Sequence, residues 1–204
     1  MTVKKNKNSQ ETKITKKANS PNVDLPKFFD KYPEAKARMI DYLKTVPEEQ
    51  KIERLREFFK FLNGEVTWGE ICKISKRFQK EIARIAYLHF KMQKYDQAEK
   101  VFKALAIVDH TNWYYRAALG AIYHKKKLYE NAVDEYSTAL FLREDEITSL
   151  VNRGECLMML KDFKGALKDF DNVAQLNLPD KNPWNIRARV LKQRVLVAKG
   201  ENTK

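Results

Sequence analysis

KYDQAEKVFKAL (94–105), LYENAVDEYSTAL (128–140) and DFKGALKDFDNV (162–173) are three versions of one string, and their spacing decides the fold. Overlaid at 34-residue intervals, they align one aromatic column (Tyr95, Tyr129, Phe163), an alanine column (Ala98, Ala132, Ala166) and a second aromatic column (Phe102, Tyr136, Phe170). Upstream, a small residue recurs at the same interval at Ala86, Gly120 and Gly154. Four columns held in phase over three periods, with no insertion, mark a stack of equivalent helical hairpins. The expected packing follows from residue size. The small residue lets the second helix approach, the alanine meets it there, and the aromatic four residues on fills the space between neighbouring repeats.

The period assigns three tetratricopeptide-type repeats to 79–112, 113–146 and 147–178, within a repeat region of 76–178. The fold class is therefore all-α, a repeat superhelix. Beyond Pro179 the pattern predicts a capping helix from about Pro183 to Lys199. Trp184, Ile186, Val190, Leu191 and Val195 are expected to cover the last repeat. Arg187, Arg189, Lys192 and Arg194 are expected to form the polar outer face that a solenoid end requires; with the basic tail, this region is 179–204.

Before the repeats, residues 24–75 read as a helical extension. Phe28, Phe29, Tyr32, Met39, Ile40, Tyr42 and Leu43 fall roughly in helical phase. Thr45-Val46-Pro47-Glu48-Glu49 then starts a second helix, with Thr45 as cap, and Ile52, Leu55, Phe58, Phe59 and Leu62 lie on one side. Asn63-Gly64 stops it. Thr67 and Glu70 have capping-box spacing for a short helix carrying Trp68, Ile71 and Ile74. Residues 1–23 hold almost nothing to bury and read as a disordered basic tail.

The formal net charge of +13 is concentrated at the ends. Residues 1–22 hold six Lys against one Glu, and residues 181–204 hold seven Lys or Arg against one Glu, which leaves +2 for everything between. A body so nearly neutral argues against a nucleic-acid-binding fold, although basic ends suit acidic membranes or RNA. No apolar run is long enough to span a bilayer, and the start lacks the apolar core of a secretory signal. Cys72 and Cys156 are far apart and read as buried thiols of a reducing, cytoplasmic compartment. None of His89, His110 and His124 stands at metal-ligand spacing, and no phosphate loop or nucleophile motif is present. Asp145, Asp169 and Asp171 read as turn and helix-surface residues. The sequence predicts no enzyme and no cofactor.

In stacked hairpins the first helix of each pair lines the concave side. Phased on Gln79, Trp113 and Ile147, the lining is Ala83, Tyr87, Phe90 and Lys91, then Tyr114, Ala117, Ala121, His124 and Lys125, then Val151, Glu155, Met158 and Met159. Small residues leave room, aromatics wall it, and methionine adapts, so an extended peptide with spaced apolar side chains suits this surface. A carboxylate clamp does not, because the positions that would hold one (Ala83, Tyr87, Ala118, Thr148 and Asn152) contain no cation.

Residues 64–178 resemble the translocator chaperones of bacterial type III secretion, the class II or SycD/LcrH/IpgC family. The resemblance lies in the lead-in GEVTWGEICKIS (64–75), in IAYLHFKMQKYDQAEKVFKALAIVDH (85–110) with its Val108-Asp109-His110 end, in ALGAIYHKKKLYENAVDEYSTAL (118–140) and in GECLMMLKDFKGAL (154–167). It implies a bacterial cytoplasmic chaperone that keeps hydrophobic translocators soluble and secretion-competent. It also implies that Tyr87, Phe90 and Tyr95 take part in the groove, and that the chain self-associates around Val66, Trp68, Ile71 and Ile74. Residues 24–62 and the basic tails depart from that family's pattern. The residues alone also admit a general repeat scaffold, or a nucleic-acid or membrane binder acting through the tails.

Overall fold

A computed structural model describes residues 33–200, and the described residues form ten helices. The expectations for residues 1–23, for Phe28, Phe29 and Tyr32, for the side chains of Met39 and Leu43, and for residues 201–204 fall outside what is described. The chain divides into two compact units between Val66 and Thr67. The lead-in from Thr67 onward therefore belongs with the repeats, while its first three residues belong with the helices before it.

The first unit contains α1 (Pro33–Thr45) and α2 (Glu48–Leu62). Thr45, expected to cap α2, instead ends α1, its hydroxyl donating to the Tyr42 carbonyl at 2.7 Å. Pro47 takes the cap position with extended backbone and no side-chain bond. The pyrrolidine ring disfavours helix at the preceding residue, so α1 has to end there. Leu55 is the buried residue of α2, while Ile52 and Leu62 on the same expected face are exposed. Gly64, at φ 72, follows the end of α2 in the left-handed conformation that glycine tolerates best.

The second unit opens with α3 (Trp68–Ile71). Its reciprocal cap joins the Thr67 backbone N–H to the Glu70 carboxylate at 2.7 Å and the Glu70 N–H to the Thr67 hydroxyl at 3.2 Å. A β-carbon on Gly69 would stand 2.9 Å from both Gln79 Nε2 and Val108 Cγ1, so glycine is what lets α3 lie against the first repeat. Three hairpins follow. They are α4 (Lys76–Lys91) with α5 (Tyr95–Val108), α6 (Trp113–Lys125) with α7 (Tyr129–Leu142), and α8 (Ile147–Met159) with α9 (Phe163–Gln175). The first begins at Lys76, ahead of the expected Gln79, because the Ser75 hydroxyl accepts from the Phe78 N–H and caps it there.

The small and aromatic columns meet directly. A β-carbon on Gly120 would lie 2.7 Å from the Tyr136 ring, and one on Gly154 would lie 2.6 Å from the Phe170 ring. The ring itself, rather than the alanine, is thus the nearest neighbour of each glycine, and it packs across its own hairpin. Ala86, Ala98, Ala132 and Ala166 are fully buried. The turn between the helices of each pair also repeats. Gln93, Lys127 and Lys161 take φ 60, 59 and 65, again 34 residues apart. Each turn closes with a six-residue backbone bond, from Lys94 to His89, Leu128 to Tyr123 and Asp162 to Leu157, which is the left-handed helix end normally given to glycine.

Buried carboxylates tie the two helices of a hairpin together. Asp109, the middle residue of the Val108-Asp109-His110 end, accepts from Lys76 Nζ at 2.7 Å and from the Thr111 hydroxyl at 2.8 Å. Burial alone would raise its pKa, but these donors hold it below the ordinary carboxylate range. Asp169, expected on a helix surface, is buried and holds the Arg153 guanidinium through two bonds of 2.7 and 2.8 Å. Cys156 is buried as expected, its thiol pushed up to about 12 chiefly by burial. Cys72 is exposed, because it stands at the end of the short α3.

The capping helix is α10 (Pro183–Ala198), which packs on α9 and α8. Asn182 caps it and Pro183 starts it. Ala188, Leu191 and Val195 are buried against the third repeat, with Trp184 partly so. Ile186 and Val190, expected to cover that repeat, are exposed together with Val197. Three of the four cations expected on the outer face turn back toward acids: Lys192 reaches Asp171 at 2.5 Å, Arg189 reaches Asp180 at 3.4 Å, and Arg187 pairs with Glu155. The helix is apolar on two sides, and periodicity alone does not tell which side faces in.

Candidate peptide groove

The first helices of the hairpins, α4, α6 and α8, carry the expected lining, and α6 packs directly on α8. At the α4 end the surface is aromatic. Tyr87 and Phe90, nearly one turn apart, stack with ring centroids 6.4 Å apart and planes at 27°. Phe90 continues to Tyr95 at 5.7 Å. On α6, Tyr114 is fixed edge-on against the buried Phe102 ring at 6.0 Å and against Tyr115 at 6.1 Å. Burial raises the Tyr114 hydroxyl pKa, and Tyr87 beside it contributes further. Tyr87 and Tyr114 remain 45% and 38% exposed, so both rings offer a face to a partner although their bases are held.

The middle of the surface is shallow, with Ala117 and Ala121 half-buried on α6. The far end is charged. His124 Nε2 lies 3.9 Å from Glu155 Oε2, and the same oxygen is held by Arg187 from α10. His124 also meets the edge of Tyr129 at 6.0 Å. Burial lowers the His124 pKa; Glu155 opposes this, while Lys125 and Arg187 add to it. The imidazole is therefore neutral at pH 7, and the lasting ion pair at this end is Glu155 with Arg187.

Two of the expected lining residues are interior. Ala83 belongs to the first core cluster, and Val151 is fully buried in the second, where α10 contributes Ala188, Leu191 and Val195. Met158 is half-buried against that same cluster, whereas Met159 next to it is 51% exposed. Lys91 and Lys125 are exposed at the rim, and Tyr95 is half-buried under Phe90. Arg187 is the residue that sequence reasoning missed. It sits outside the repeat register, so the 34-residue phase could not point to it. Among the described residues no group of three or more His, Cys, Asp and Glu is placed to hold a metal.

No family model matches the chain. It is 28% identical over 127 residues to the low calcium response locus protein H of Yersinia pestis, covering 61% of this chain and 73% of that protein. PcrH, a Pseudomonas aeruginosa protein, solved in complex with the chaperone binding region of PopD, superposes with TM-score 0.59 at 26% identity, covering 62% of this chain and 96% of that one. The type III secretion translocator chaperone SycD of Yersinia enterocolitica superposes with TM-score 0.60 at 23% identity, over 63% of this chain and 98% of that one; at this identity it speaks for the fold. The resemblance read from residues 64–178 is thus upheld by relatives of both sequence and structure.

Proposed function

We propose that this chain is a translocator chaperone of a type III secretion system, one that holds an extended apolar segment of its client against α4, α6 and α8. The observation that carries the reading is the pair of half-exposed aromatic rings, Tyr87 and Tyr114, whose bases are fixed by Phe90 and Phe102. A rigid, amphipathic ring on a preformed surface loses little freedom on binding, which is what an anchor pocket needs. Ala117 and Ala121 leave space beside the rings for a client side chain. Shielding that segment stops the client from aggregating or entering a membrane early. The work is binding, with no bond made or broken, so it needs no cofactor and the chain is not an enzyme. It acts in the bacterial cytoplasm, where a client waits before export.

Val66, Trp68, Ile71 and Ile74 are the proposed self-association segment. Trp68 is 38% exposed, and the other three are half-buried. On this reading residues 24–62 are an addition to the chaperone body.

Co-expression separates this function from that of a general scaffold. A hydrophobic translocator from the same host should be soluble only when this chain is made with it, and the two should purify as a complex. A translocator equally soluble alone and unbound by the chain would overturn the reading.

A further inference from the structure

The capping helix α10 has a second apolar face, turned away from the repeats. Ile186, Val190 and Val197 are 44%, 49% and 60% exposed, and Val190 and Val197 line a shallow apolar depression with Gln193, Arg194 and Ala198. Positions 186, 190, 193 and 197 alternate four, three and four residues apart, so they form one straight stripe along the helix. Arg189 flanks the stripe on one side and Arg194 on the other, and no acidic residue lies along it. A soluble helix that is apolar on both faces is normally enclosed between two layers.

We propose that this outer face of α10 adsorbs reversibly to an anionic lipid surface. A second copy of the chain is a poor cover. A parallel pair of these helices sets Arg189 of one copy against Arg194 of the other. A helix from another protein would have only three apolar side chains, interrupted by Gln193, to grip, which is less than a zipper needs. A lipid surface asks for less: a narrow apolar stripe to enter the headgroup boundary and cations at its edges to meet acidic lipids. Within residues 181–204 the sequence adds Lys181 before the helix and Lys199 and Lys204 after it, against Glu201 alone. The helix lies on the surface and does not cross it; no described helix is long and apolar enough to do so.

The test is flotation of the full-length protein with vesicles of phosphatidylcholine containing 30% phosphatidylglycerol or none. Binding should require the anionic lipid and fall at least tenfold between low and high salt. Val190→Asp with Val197→Asp, both exposed changes, should reduce binding at least tenfold while circular dichroism stays unchanged. Arg189→Gln with Arg194→Gln should do the same and flatten the salt dependence. Absence of wild-type binding would overturn the proposal. So would full binding by the valine variant, which would assign the effect to the tails alone. A concentration-dependent oligomer that the valine variant abolishes, without lipid binding, would identify a second copy as the cover and also refute it.

Discussion

Neighbouring positions of the same repeat behave in opposite ways. Ala86, Gly120 and Gly154 are one column, always small and always buried. One residue further on, the column is Tyr87, Ala121 and Glu155: an exposed ring, a shallow gap and an ion-paired carboxylate. Phe90, His124 and Met158 are equally unlike one another. The hairpins need identical contacts to stack, so residues that face another helix repeat. Residues that face the groove leave part of their surface uncovered and meet a different neighbour in each repeat, as Tyr114 meets Phe102 and His124 meets Glu155, so the stacking does not require them to match. The loss of periodicity on the inner face therefore marks where binding is specified, with an aromatic end at α4 and α6 and a charged end at α8 and α10.

The strongest way to break this comparison is to cut an interior column. Phe170→Ala removes the ring that faces Gly154 and should cost about 3–5 kcal/mol, read as a lower midpoint in urea denaturation. A loss as small as that of a groove substitution would mean that the columns do not hold the stack.

Next in size is the acid limb of stability. Burial would raise the Glu99 pKa, but bonds from Lys103, Lys126 and Tyr123 overcome it and hold the carboxyl at about 2, well below its ordinary 4.5. A carboxylate with a lowered folded pKa stabilises the protein above its unfolded value. That contribution is lost as pH falls through 4.5 toward 2. Glu99→Gln should therefore lower stability at pH 7 and flatten its fall across that window, as seen in thermal melts at stepped pH. An unchanged acid limb would show that this link between the first two hairpins contributes nothing.

The charged end gives a smaller effect. Arg187→Gln removes the cation that neutralises Glu155 and leaves His124 as its nearest basic neighbour, so the His124 pKa should rise, followed by imidazole NMR shifts. No movement would separate Arg187 from the groove. Smallest of all, Lys127→Gly relieves a left-handed non-glycine residue and should raise stability by up to about 1 kcal/mol, net of the freedom glycine adds to the unfolded chain.

What was legible in the sequence follows the same division. The interior columns, the capping box at Thr67 and the start of α10 were readable because each rests on contacts local in the chain or repeated at a fixed period. The left-handed turns at Gln93, Lys127 and Lys161 were not, since none of them is glycine. Val151 reads as groove lining from its phase, and it is buried in a cluster to which α10 contributes Ala188, Leu191 and Val195. The face of α10 that points inward was equally hidden, because both of its faces are apolar. Cys72 looked like an interior thiol by type, yet it stands at the end of a four-residue helix with nothing over it.

The central claim is that the aromatic end of the groove binds the client and does little else. Its most direct measurement is the affinity of a purified translocator segment for the wild-type chain and for Tyr87→Ala with Phe90→Ala, by calorimetry, alongside circular dichroism of both proteins. The double variant should keep an unchanged helical spectrum and lose at least tenfold in affinity, since each buried anchor typically carries more than about 1 kcal/mol. Undiminished binding by the folded double variant would contradict it.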